Sequence, residues 1–310
     1  MTEPSVFPLD GGCDCRAVRY RMHTAPLFVH CCHCRWCQRE SGASFALNAM
    51  IEADRVALLA GAPELVDTPS ESGSGQRIAR CPNCRVAVWS HYAGAGPRVS
   101  FVRVGTLDAP DHLPPDIHIF TRSRQPWVLL PAGTPAVPGY YEREDHWPAA
   151  SLARRRVLLA QVLVDDLSGP EIRALLEEHL RDMSQLSPPE SVHALDIDAL
   201  RQADVTFWTV WSDGELLGCG ALKHLGAQFG EIKSMRTAIA WRGCGVAGRV
   251  LGHIVQVARA RGYATLGLET GSAPAFQPAR SLYERFGFSY CGPFEGYAED
   301  PNSVFMQRAP

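Results

Sequence analysis

The 310-residue chain carries almost no net charge: 30 lysines and arginines against 33 aspartates and glutamates leave −3. Nucleic acid and anionic membranes favour a basic patch, so neither is an expected partner. Long apolar runs are lacking too. Val157–Ala160 is typical of those present, and a membrane span needs about 18 residues or more. The opening MTEPSVFPLDGG has no basic start and no apolar run before its prolines, so no secretory signal is read there and a soluble, cytoplasmic protein is expected. No internal repeat is visible, and residues 1–140 show no convincing amphipathic helix.

What is present points to two domains of about 150 residues, the usual division at this length. With 46% hydrophobic and 20% charged residues, both halves can bury a core. Short β-type runs, Ala17–Met22, Phe45–Ile51, Arg85–Ser90, Val99–Val104 and His118–Phe120, make the first half read as all-β. Proline- and glycine-rich Leu130–Tyr141, then charged Glu142–His146, read as its end, giving domains at 1–142 and 157–310 with a linker at 143–156. The second half reads as mixed α/β. Val157–Val164 is expected as a strand, and Ser168 is the expected N-cap of a helix carrying Ile172, Leu175, Leu176, Leu180 and Met183. A hairpin is expected around Ser212-Asp213-Gly214-Glu215, then a strand at Glu231–Ile239 and a helix at Val246–Ala260. A strand at Ala264–Glu269, a helix at Pro278–Phe286 and strands near Phe288 and Val304 complete the succession.

Eight of the eleven cysteines lie between Cys13 and Cys84, and in a cytosolic chain such clustering favours metal over disulfides. They form Cys13-x-Cys15, Cys32-x-Cys34-x-x-Cys37 and Cys81-x-x-Cys84, pairs short enough to reach one Zn²⁺ from a tight turn. Seven thiols divide naturally into four and three, and three protein ligands with one open position is the usual arrangement of a catalytic zinc. The plainer alternative is scaffolding throughout, with Cys31 as the eighth thiol.

The stretches Gly12-Cys13-Asp14-Cys15, Cys32-His33-Cys34-Arg35-Trp36-Cys37-Gln38-Arg39-Glu40-Ser41-Gly42, Cys81-Pro82-Asn83-Cys84, Gly105-Thr106-Leu107-Asp108 and His118-Ile119-Phe120-Thr121-Arg122-Ser123-Arg124-Gln125-Pro126-Trp127 resemble the glutathione-dependent formaldehyde-activating family, whose fold is that of Mss4-like β domains. The resemblance implies a structural zinc on Cys13, Cys15, Cys81 and Cys84 and a second, open zinc on Cys32, Cys34 and Cys37. A thiol such as glutathione can bind at the open position as thiolate. Arg16 stands where the family usually has glycine. His30 and His33 flank the open site as candidate proton carriers, the alternative being histidines that support the site from behind its ligands or face solvent. Arg122, Arg124 and Trp127 are candidates for a carboxylate-binding surface, the alternative being a solvated strand end with a buried tryptophan.

In the second half, Arg242-Gly243-Cys244-Gly245-Val246-Ala247 follows an expected strand and opens an expected helix. Outward-turned amides and a positive helix end suit a pyrophosphate there. With Ala279-Arg280-Ser281-Leu282-Tyr283-Glu284-Arg285-Phe286-Gly287-Phe288, this segment resembles the GNAT acetyltransferases. The resemblance implies acetyl-CoA on Thr237, Ala238, Ile239, Arg242, Gly243, Cys244, Gly245, Val246, Ala247 and Gly248, with Tyr283 beside the CoA sulfur. Departures are Ala247 for the last glycine, Ile239 for a common proline and Phe276 for a frequent asparagine. Leu186–Ser191, Glu231–Arg236 and Glu299–Met306 are similar to a bacterial subgroup acting on small molecules. Tyr283 is the expected acid and Glu231 the expected base. Each has a bland alternative, a packed aromatic at helical spacing for Tyr283 and an exposed strand residue or ion-pair partner for Glu231.

The expected protein is thus a two-domain enzyme: an all-β Mss4-like zinc domain with carbon–sulfur lyase-like chemistry, then an α/β GNAT domain acetylating a small amine. The alternatives are an acetyltransferase whose zinc domain is structural or partner-binding, and a zinc-module adaptor with a degenerate transferase. Small molecules are the expected partners, with a homodimer left open.

Overall fold

The computed structural model of the protein describes residues 6–186, 188, 195–226, 228–294 and 296–310. Ser187 and Pro189–Ser191, from one of the segments named above, lie outside them. The chain divides into two compact units, Met1–Arg155 and Arg156–Pro310.

In the first unit, β1 (Leu9–Gly12), β2 (Arg19–Met22) and β5 (Val56–Ala60) form an antiparallel sheet in the order β1-β2-β5. The strands β3 (Phe28–Cys32), β4 (Ala46–Glu52), β6 (Glu64–Thr68), β7 (Gln76–Arg80), β8 (Ala87–Tyr92), β9 (Val99–Arg103) and β10 (Ile117–Ile119) form a second, ordered β10-β3-β4-β9-β8-β7-β6. Among the named strands β10 and β3 pair in parallel. Alternation sends Tyr20 and Met22 of β2 into a core with Val29, Ala49, Ile51, Val88, Trp89 and Val102, where Tyr20 meets Trp89 edge-on at 5.6 Å. All five strand runs read from the sequence contain a strand. The helix α1 (Arg35–Ser41) was not expected. It has only two turns and is capped by a cysteine: Cys34 Sγ accepts from the Cys37 amide, and left-handed Gly42 closes the other end.

The residues read as a linker are also ordered. Helix α2 covers Ala149–Leu159, a stretch of good helix formers, and Arg154 reaches from it to the buried Glu52 carboxylate with Nε at 2.7 Å. The expected strand from Val157 therefore begins only with β11, Gln161–Val164.

The second unit continues with α3 (Pro170–Leu186), α4 (Ile197–Leu200), β12 (Val205–Ser212), β13 (Glu215–Gly226), β14 (Phe229–Thr237), α5 (Val246–Ala260), β15 (Thr265–Gly271), α6 (Gln277–Arg285), β16 (Ser289–Cys291) and β17 (Ser303–Arg308). Its sheet runs β11-β12-β13-β14-β15-β17-β16. The helix α3 starts on Pro170, two residues beyond Ser168, because proline suits the first helical position. Ser212 pairs with Glu215, and Asp213 and Gly214 both take positive φ (50° and 77°), the tight hairpin turn their sequence suggests. The apolar face of α5, Val250, Leu251, Ile254, Val255 and Ala258, is buried. Gly220 of β13 allows its close approach, since a Cβ there would lie 2.6 Å from Val250 Cγ1. Strands β14 and β15 pair in parallel from Phe229↔Thr265 to Ile232↔Leu268 and no further. Beyond that point the sheet parts, and the start of α5 follows the free end of β14.

Candidate functional site

The seven expected zinc ligands fall into the two expected groups. Cys13, Cys15, Cys81 and Cys84 bring their sulfurs within 4.8 Å of one another, with Cys13–Cys15 and Cys15–Cys81 each 3.6 Å apart. A tetrahedron with Zn–S bonds of about 2.3 Å needs S···S edges of about 3.8 Å, so the donor set fits zinc. The two halves are built alike. The Cys13 amide bonds Val18 O and the Cys81 amide bonds Val86 O, both at 3.0 Å, and the turns put Arg16 and Arg85 at φ 60° and 64°. That left-handed backbone explains why glycine is usual at position 16. The Ala17 amide is the main cause holding the Cys15 thiol down, to about 6, which favours the thiolate a metal requires.

Cys32 ends β3, Cys34 caps α1 and Cys37 sits in its first turn; the three sulfurs also lie within 4.8 Å, and all three residues are buried. The Cys32 and Cys37 thiols donate to Cys34 and hold it well down as thiolate. The donor set again fits zinc, with one position left over. Two networks fix α1. Gln38 Nε2 donates to His33 O (2.7 Å) and Ser123 O (2.9 Å). The half-buried Glu40 takes Arg103 at 2.9 Å and also Arg80 on its carboxylate. A cavity of about 670 Å³ beside α1 is lined by Arg35, Gln38, Arg39, Ser44, Gln125 and Trp127 among others. Trp127 is 70% exposed, not buried in a strand end. Arg122 instead stacks over Phe120, and Arg124 bonds Val128 O. The His30 ring is taken up by the Tyr141 hydroxyl at 2.5 Å, and burial drops it to about 3. His33 meets His118 at 3.0 Å.

In the second unit the expected cofactor residues gather where β14 ends and α5 begins. Thr237 closes β14, Ala238 and Ile239 enter a 3-10 turn, and Arg242–Gly245 lead into the helix. Gly245 occupies the N-cap at φ 99° with no side-chain cap, so the first-turn amides of Val246, Ala247 and Gly248 have no carbonyl one turn back. An anion fits there. Arg242 is steadied by Asp182 at 3.5 Å, which with Glu178 also pairs Arg236 of β14.

Glu231 is buried on β14, next to where β14 and β15 part. Its Oε1 accepts from the Tyr297 hydroxyl at 2.6 Å and pairs Lys233 Nζ at 2.9 Å. Lys233 also contacts the Tyr297 hydroxyl. Glu269, one residue past the last β14–β15 pair, accepts from Ser303 at 2.6 Å. Its charge acts on both Tyr297 and Tyr283. Tyr283 is buried, and burial first, then Glu269, push its phenol above the usual range. Lys233, Glu269 and Tyr297 are not among the site residues expected from the sequence. Glu231 and Lys233 at i and i+2 on one strand face were the only local signal.

By comparison with known proteins this second unit is an acyltransferase. Residues 172–288 match the Acetyltransferase (GNAT) family, and residues 8–123 match the Glutathione-dependent formaldehyde-activating enzyme family. The chain is 54% identical over 147 residues to Uncharacterized N-acetyltransferase YsnE of Bacillus subtilis, covering 47% of this chain and 97% of that protein. It is 48% identical to Uncharacterized N-acetyltransferase YedL of Escherichia coli (47% and 91% covered), and 38% identical to IAA acetyltransferase of Azospirillum brasilense (43% and 87% covered). The chain belongs to the GNAT acetyltransferase family, carried by its second unit, and its first unit holds a domain of the formaldehyde-activating family. No helix among the described residues is long and apolar enough to cross a membrane.

Proposed function

We propose that the second unit moves an acetyl group from acetyl-CoA to the amine of a small molecule, with Glu231 as base and Tyr283 as acid. The observation that carries this is the buried Glu231 carboxylate, held by Lys233 and Tyr297 beside the parting of β14 and β15. The amides of Val246–Gly248 with Arg242 would hold the pyrophosphate, and the free edge of β14 through Thr237, Ala238 and Ile239 would hold the arm. Acetyl-CoA supplies the activated acyl carbon. Glu231 takes the amine proton, directly or through water, and Tyr283 returns one to the departing sulfur. The raised phenol keeps its proton until that charge forms.

The first unit, in the same proposal, holds zinc on Cys13, Cys15, Cys81 and Cys84 and an open zinc on Cys32, Cys34 and Cys37, where a thiol such as glutathione would bind and a carbon–sulfur adduct react. Zinc bound there would keep the incoming thiol as thiolate. Arg35, Arg39 and the exposed Trp127 around one cavity suit a carboxylate-bearing thiol. The burial of Cys32, Cys34 and Cys37 favours a second reading, in which the module is structural. Acetyl-CoA consumption over a panel of small amines and amino acids tests the transferase. Turnover of a formaldehyde–glutathione adduct, lost on mild chelation, tests the zinc unit; no turnover with zinc bound leaves the structural reading.

A further inference from the structure

A third group of metal-binding donors lies outside both cysteine clusters. Strands β3 and β10 run in parallel with His118 opposite Cys31, so these two side chains share one face. The ladder continues one step past β3, where the His33 amide bonds Ile119 O at 3.0 Å. Side chains alternate along such a chain, so Cys31 and His33 point to one side and Cys32 to the other. Cys31 Sγ lies 3.6 Å from His33 Nε2, and His33 Nε2 lies 3.0 Å from His118 Nδ1. All three atoms fall within 4.8 Å of one another, and all three residues are buried.

Those distances are close to the edges of a metal tetrahedron. With metal–nitrogen bonds of about 2.0–2.1 Å and a metal–sulfur bond of about 2.3 Å, N···N comes to about 3.3 Å and N···S to about 3.6 Å. Packing alone gives no reason for the convergence. Buried polar groups cost free energy unless partnered, and the outer nitrogens, His33 Nδ1 and His118 Nε2, have no hydrogen-bond partner among the described residues. Without a metal, the two inner nitrogens can share only one N–H···N bond. One thiolate and two imidazoles form a donor set that suits zinc.

We propose that Cys31, His33 and His118 bind a third zinc ion, distinct from the ions on Cys13, Cys15, Cys81 and Cys84 and on Cys32, Cys34 and Cys37. Three protein donors leave the fourth place to water. The ion joins β10 to β3 and sets two metals along the single stretch Cys31–Cys37.

The test uses the full chain, stripped of metal and titrated with Co²⁺, with zinc counted by mass spectrometry after reconstitution. The wild type should take three equivalents, and His118→Ala and Cys31→Ala should each take one fewer with unchanged circular dichroism. A count that neither substitution lowers overturns the proposal. If both variants fail to fold, the wild type still decides through proton NMR of its cobalt form. The other two clusters are all cysteine, so a paramagnetically shifted, exchangeable imidazole N–H can come only from a histidine site. Its presence supports the proposal and its absence overturns it.

Discussion

Replacing Tyr297 by phenylalanine removes one hydroxyl and little else. The ring stays packed between Phe294 and Phe305, with centroids 5.1 and 5.2 Å away, so the fold should hold. What is lost is the 2.6 Å hydrogen bond to Glu231 Oε1 and the contact with Lys233. A hydrogen bond to a charged group is worth roughly 1.5–3 kcal/mol. If Tyr297 acts by positioning the Glu231 base, that loss carries into the rate as about a 10- to 150-fold fall in kcat. Glu231→Gln removes the base itself and should lose roughly 10²–10⁴-fold. The two effects share one oxygen, so the double variant should be little worse than Glu231→Gln alone. The assay is CoA release with the amine found in the panel, read with a melting curve for each variant. Effects that multiply in the double variant, or a Tyr297→Phe enzyme with full kcat, would refute the positioning role.

Tyr283→Phe should lower kcat by about 10²–10⁴-fold with acetyl-CoA affinity little changed, whereas Tyr283→Ala should also destabilise by about 3–5 kcal/mol; a fully active phenylalanine variant removes Tyr283 as the acid. Cys81→Ser should cost folding, since a structural zinc contributes folding free energy. Cys34→Ser should stay folded and lose one zinc, and equal loss of solubility in both variants would contradict an open second site. His179 on α3 is pushed from 6.5 to about 4, chiefly by burial. Between those values the unfolded chain binds the proton and the folded one does not, so stability should fall as pH drops from 6.5 to 4 and the loss level off below. At 1.36 kcal/mol per unit that is at most about 3 kcal/mol. Denaturant melts of His179→Gln should lose this part of the pH dependence; an unchanged profile would clear His179 of it.

How much was legible beforehand depended on whether the signal was local. The helix α5 was read to both ends, because a glycine loop and an apolar face at helical spacing lie in one stretch. The Asp213-Gly214 turn and the close cysteine pairs were equally local. Helix α1 was missed because a cysteine and not a serine or aspartate caps it, and α2 because Arg154, Arg155 and Arg156 interrupt any apolar stripe. The site partners were hidden by distance along the chain. Tyr297 lies 66 residues from Glu231, and His118 lies 85 from His33. Only the folded chain brings each pair together, Tyr297 from the loop between β16 and β17 and His118 from β10, and spacing along the chain shows neither contact.

The central claim, that the opening of α5 receives the cofactor's phosphates, is tested most directly by calorimetry of acetyl-CoA binding to Ala247→Glu. A glutamate in the first turn suits the helix dipole, so the fold and melting temperature should be kept while a negative charge enters the anion site. The account predicts one acetyl-CoA per chain in the wild type and at least a hundredfold weaker binding in the variant. Equal affinity in a folded Ala247→Glu protein would contradict it.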